Sequence, residues 1–104
     1  MLRVHGEVDM ASAPELRRQL VGLVDAGRPH IVVDLELVEF MDSTGLGVLI
    51  GGVRRTRASG GDLRIVCTND RLVSLFEITG LAAAYRLYAD VASALDAPPS
   101  SADL

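Results

Sequence analysis

The residues whose types and spacing could do chemistry are Asp42-Ser43-Thr44-Gly45-Leu46-Gly47, two hydroxyls between an acid and a pair of glycines. They follow an apolar run and precede an apolar pattern at helical spacing, so they stand where a strand gives way to a helix. Ser43 reads as the N-cap of that helix. Free amides and the helix dipole favour negative charge at such a point. A phosphate on Ser43 would add about −1.5 to −2 charge and three acceptor oxygens without melting the helix. Asp42 would deepen the local negative field. A partner packed on the bare hydroxyl would meet both bulk and unpaired charge once the phosphate was added.

Catalysis by this segment is poorly supported. The glycines do not fit Gly-x-Gly-x-x-Gly, because Ile50 occupies the third position, and no Gly-Lys-Ser/Thr follows to make a phosphate-binding loop. Ser43 lacks the Gly-x-Ser-x-Gly elbow of serine hydrolases. The only histidines, His5 and His30, are placed to be structural or simply exposed, so no base and orienting group accompany the hydroxyl. No metal or other cofactor is expected, since no cluster of ligands has a recognised spacing. Asp-Ser-Thr ahead of a helix also serves simply as a cap, and spacing alone leaves both readings open.

The helix that carries the segment is expected over about Thr44 to Ala58, with Leu46, Leu49, Ile50 and Val53 as its buried stripe. Thr44, Gly47, Gly51, Arg54 and Arg55 fall on the opposite side. Gly47, Gly51 and Gly52 each cost about 1 kcal/mol against Ala in a helix interior. Close approach of another backbone would explain that cost, whether the backbone is this chain's own sheet or a second protein.

The positioning elements alternate. Leu2 to His5 reads as a strand and Gly6-Glu7-Val8-Asp9 as a turn. A helix follows, with Ser12, Pro14 and Glu15 as its start signals and Gly27 as its end. The branched run Ile31 to Leu35 suits a central strand covered on both faces. Leu63 to Thr68 is a further strand, with Cys67 a small buried hydrophobe. A helix from Thr68 or Asn69 to Gly80, an edge strand at Tyr85 to Tyr88 and a helix from Asp90 complete the order. This alternation predicts an α/β domain with helices packed on a largely parallel sheet of about four strands.

The chain has 104 residues, 49% of them apolar, and a formal charge of −4. That is one domain with one core, and an acidic one, which argues against nucleic acid and anionic membranes as partners. No apolar run approaches the roughly 20 residues of a membrane span, and the start does not resemble a signal peptide, so the expected location is the cytoplasm. The domain is expected over 1–96, with 97–104 as a flexible tail.

Together these motifs resemble the STAS-domain anti-sigma factor antagonists of bacteria. The resemblance covers residues 2 to about 95. Its anchors are Gly6-Glu7-Val8-Asp9, Ile31 to Leu35, Phe40 to Leu49, Gly60-Gly61-Asp62-Leu63-Arg64 and Leu75 to Leu81. All ten basic residues are Arg, which suits an actinobacterial-like, GC-rich relative.

The resemblance implies that Ser43 is phosphorylated by a partner that is both serine kinase and anti-sigma factor. Thr44 is then the less favoured acceptor beside it. The unphosphorylated form binds that partner and frees sigma factor, and a phosphoserine phosphatase resets the switch. Asp9 would lie near Ser43 and Asp42 at the phosphorylation pocket. Met10 and Ala11 would form the binding face with Gly45, Gly47, Gly51, Arg54 and Arg55. The alternative is a constitutive STAS adaptor or scaffold in a larger regulatory or transport assembly. One departure from the family is that the further strand usually found before the one ending in Gly-Glu-x-Asp is missing here, with at most one short strand ahead of Gly6. An exposed sheet edge is therefore expected, with lower stability or homodimerisation through it.

Overall fold

The computed structural model describes residues 1–80 and 87–97. Among these residues four strands, β1 (Leu2–Val8), β2 (His30–Met41), β3 (Asp62–Val66) and β4 (Leu87–Tyr88), alternate with four helices. These are α1 (Ala13–Asp25), α2 (Ser43–Ala58), α3 (Asp70–Ile78) and α4 (Val91–Asp96). The sheet order is β1-β2-β3-β4 and every neighbouring pair is parallel. Each parallel pair needs a crossover, and the helices supply it. Of the expected edge strand, Leu87 and Tyr88 form β4; Tyr85 lies outside the described residues, as does the tail from 98 onward.

Strand β2 is the spine of the molecule. Ile31, Val33, Leu35, Val38 and Met41 join Leu16 and Leu20 of α1, Leu46 and Leu49 of α2, and Leu72 and Phe76 of α3 in one core. Val32, which alternation turns to the other face, packs with Val66 and Ala94 beneath α4. The sheet is thus covered by three helices on one face and by α4 on the other. Burial on both faces explains why β2 starts as a continuous branched run.

Three local expectations need correction. Gly6-Glu7-Val8 is not a turn but the second half of β1. Gly6 takes φ +80°, and the β1–β2 register shifts beside it, so the strand absorbs its glycine as an irregularity and runs on. Ser12 stands at the N-cap of α1 but makes no capping hydrogen bond, and Glu15 binds Arg18 and Gln19 instead of closing a capping box. The N-cap of α2 is Asp42, not Ser43.

β1 lies at one side of the sheet and pairs only with β2 among the described residues. No helix among the described residues is long and apolar enough to cross a membrane.

Candidate functional site

The site forms at the carboxyl ends of two neighbouring parallel strands, where open α/β sheets present their binding surfaces. Val8, the last residue of β1, is in register with Met41, the last of β2. The Asp42 amide donates to the Val8 carbonyl at 3.1 Å, which ties the two strand exits together. Asp9 therefore leaves the sheet beside Asp42, and the Asp9–Ala11 loop begins next to the start of α2.

Asp42 fixes that start. Its Oδ1 accepts from the amides of Thr44 (2.9 Å) and Gly45 (3.1 Å), and its carbonyl accepts from Leu46. Two of the donors that a helix N-terminus leaves unsatisfied are thereby taken. Ser43 becomes the first helical residue, exposed, with its hydroxyl in no hydrogen bond among the described residues. Thr44 is exposed beside it. Asp and Ser are equally good caps, and the aspartate, one residue earlier, holds the role.

Asp9 is held just as firmly. Its Oδ1 accepts from the amides of Ala11 and Ser12, both at 3.0 Å. The Ser12 backbone amide is the main reason its carboxyl titrates below the ordinary carboxylate value. Ser12 Oγ also donates to the Glu7 carbonyl at 2.8 Å and accepts from the Asp9 amide. Ser12, read in sequence as a helix cap, is instead the clasp of the Asp9 loop. The Asp-x-x-Ser spacing carries that signal, since such side chains bind the backbone a few residues away. The loop presents Met10, 74% exposed, and Ala11 to solvent.

The glycines separate into two kinds. Gly45 is buried and faces the chain's own sheet: a Cβ there would sit 2.6 Å from Val8 Cγ1 and 2.9 Å from the Val8 carbonyl oxygen. It belongs beneath the site and not on its surface, against the sequence expectation. Gly52 is likewise buried, against Leu63 and Leu20. Gly47 and Gly51 are exposed, and a Cβ on either would meet nothing within 4 Å. Their absent side chains serve no packing need within the described fold.

The structure thus brings Asp9 and Asp42 out at neighbouring strand ends, with Met10 and Ala11 following the first and Ser43 and Thr44 the second. Arg54 and Arg55 are exposed but stand at the other end of α2. At about 1.5 Å per residue, Arg54 lies roughly 16 Å along the axis from Ser43. Among the described residues no group of three His, Cys, Asp or Glu side chains could hold a metal ion. Cys67 is buried at 4% exposure, and desolvation raises its thiol pKa to about 11, which makes it inert at neutral pH.

Comparison with known proteins adds to this geometry. The STAS domain model matches residues 1–94. The anti-sigma-B factor antagonist of Bacillus subtilis (strain 168) is 42% identical over 80 residues, which are 77% of this chain and 72% of that relative. The crystal structure of an anti-sigma factor antagonist from Mycobacterium paratuberculosis is similar at a TM-score of 0.81 and 31% identity, covering 89% of this chain and 79% of that one. The phosphorylated form of the Bacillus cell fate determinant SpoIIAA is similar at a TM-score of 0.69 and 25% identity, covering 90% and 85%.

Proposed function

Because the chain belongs to the STAS domain family, we propose that it is an anti-sigma factor antagonist switched by phosphorylation of Ser43. The observation that carries this reading is the exposed Ser43 hydroxyl, left free while Asp42 caps the helix. The names of its relatives and the phosphorylated SpoIIAA structure support it. The protein acts by binding, in the cytoplasm, and performs no catalysis of its own.

In the unmodified state an anti-sigma factor docks over the Asp9–Ala11 loop and the first turns of α2, and sigma factor is released. That partner is also the kinase. Ser43 Oγ attacks the γ-phosphorus of ATP, the bond to the β-phosphate oxygen breaks, ADP leaves, and the hydroxyl proton passes to a base on the kinase. The new phosphate finds the Thr44 and Gly45 amides already bound to Asp42. It therefore stays at the surface, beside two carboxylates, and adds bulk and like charge where the partner must close. The fold is unaltered and the complex separates. A phosphoserine phosphatase hydrolyses the ester and restores the hydroxyl. Self-association, if the chain has it, would use the outer edge of β1.

The test is incubation of the chain with ATP and each kinase-type anti-sigma factor of the source organism, read by intact mass and a phosphosite map. One phosphate on Ser43 is expected with the cognate partner. Ser43→Ala should bind that partner and take no phosphate, and Ser43→Asp should bind weakly. Phosphate on Ser43→Ala at an undiminished level would refute the assignment. Equal affinity of all three forms would favour a constitutive adaptor.

A further inference from the structure

The first turn of α2 is one end of a longer feature. A groove of about 260 Å³ runs between α1 and α2, with Leu20, Val21 and Val48 in its lining. Gly47 and Gly51 leave it open along α2. Arg17 of α1 and Arg55 of α2 also line it, and Thr44 brings it beside Ser43. Its volume falls below the about 300 Å³ at which small-molecule pockets begin. It suits the side chains of a protein segment better than a free metabolite.

Charge decides which kind of segment. The chain carries −4 overall, yet no Asp or Glu lines this groove. Arg3 is drawn to Asp34, Arg18 to Glu15 and Arg64 to Asp62. Arg17 and Arg55 are exposed and form no ion pair among the described residues. Two unneutralised guanidiniums therefore border an apolar floor, each able to take a carboxylate in bidentate fashion.

We propose that the α1/α2 groove receives an acidic, apolar-faced segment of the anti-sigma factor, whose carboxylates pair with Arg17 and Arg55. This rests on the reading of the chain as an anti-sigma factor antagonist and adds a second contact of opposite sign to the first. Asp9 and Asp42 at the Ser43 end call for basic groups on the partner, and the groove calls for acidic ones. A footprint polarised in this way admits one orientation of the partner and rejects its reverse.

The experiment uses the full chain and the recombinant anti-sigma factor that phosphorylates Ser43. Arg17→Glu combined with Arg55→Glu is expected to weaken binding roughly tenfold at low salt and to flatten its dependence on ionic strength. Arg17→Lys with Arg55→Lys should recover most of the affinity. Gly51→Leu, which fills the groove and leaves its charge alone, should also weaken binding. A thermal melt confirms that each variant is folded, and Arg17→Gln with Arg55→Gln replaces the Glu pair if that pair is not. Wild-type affinity in the charge-reversed protein, with Ser43 still phosphorylated, overturns the groove and leaves the functional reading standing. An anti-sigma factor panel that neither binds nor phosphorylates the wild-type chain overturns both.

Discussion

Alanine at Gly47 and Gly51 is expected to make the protein more stable and a poorer binder. Both glycines lie inside α2, and an added Cβ on either meets nothing within 4 Å. Only backbone entropy and helix propensity then change, and Ala exceeds Gly there by about 0.8–1.0 kcal/mol per position. The double variant should gain about 2 kcal/mol, and its melting temperature should rise by roughly 8 °C or more. Gly45→Ala is the counter-case. Its Cβ would come within 2.6 Å of Val8 Cγ1, 2.9 Å of the Val8 carbonyl oxygen and 3.0 Å of Met41 Cγ. The carbonyl cannot rotate away, because it accepts the Asp42 amide. Overpacking of this sort costs about 1–3 kcal/mol, so Gly45→Ala should lower stability. Gly52→Ala should be nearly neutral, since it meets the movable ends of Leu63 and Leu20 at 2.9 and 3.1 Å. Urea unfolding followed by circular dichroism and scanning calorimetry measures all four. Affinity for the anti-sigma factor, measured in parallel, should fall for Gly47→Ala and Gly51→Ala although both are more stable. A loss of stability in Gly51→Ala, or a gain in Gly45→Ala, refutes the division of the glycines. Stabilised variants with undiminished binding refute the docking role.

Asp42→Ala removes two hydrogen bonds to the first turn of α2 and should cost about 1 kcal/mol, whereas Asp42→Asn should keep most of the cap; equal destabilisation by both in urea would contradict this. Burial pushes the Cys67 thiol up to about 11 in the native state, against 9.0 for a thiol in the open chain. Its contribution is complete below pH 9 and is lost as pH rises towards 11; Cys67→Ala should remove that alkaline slope from the melting temperature, and parallel curves for the two proteins would contradict the assignment. Asp9 and Asp90 are held below their ordinary values chiefly by the backbone amides of Ser12 and Ser93. Their stabilisation is present above the usual carboxylate range and disappears as pH falls through the lowered values; Asp9→Asn should flatten the acid limb of the unfolding curve.

Much of this was legible in the chain itself. The alternation of strand and helix, the span of α2 and the exposed hydroxyl follow from periodicity and from one motif. What could not be read depends on distant neighbours. Gly45 and Gly47 look alike in sequence because glycine has no side chain to betray a face. Only Val8, brought in by the β1–β2 register, separates them. Asp42 and Ser43 compete for one cap with nearly equal propensity, so the choice rests on local backbone geometry. Gly6 suggested a turn, and pairing with β2 overrode that preference. Arg17 gave no signal, since its role depends on how α1 lies against α2.

Strand β2 places Ser43 two residues beyond Met41, at the end of a strand whose first half is deeply packed, with Val33 and Leu35 at 0% exposure. On the proposed function, a phosphate there meets a start of α2 already tied down by Asp42, so the signal it carries is local bulk and charge. Each molecule would then be either bare or phosphorylated, and a population would report the ratio of the two. Under that proposal, any threshold in the response would arise from competition between this protein and sigma factor for the anti-sigma factor, and from the balance of kinase and phosphatase.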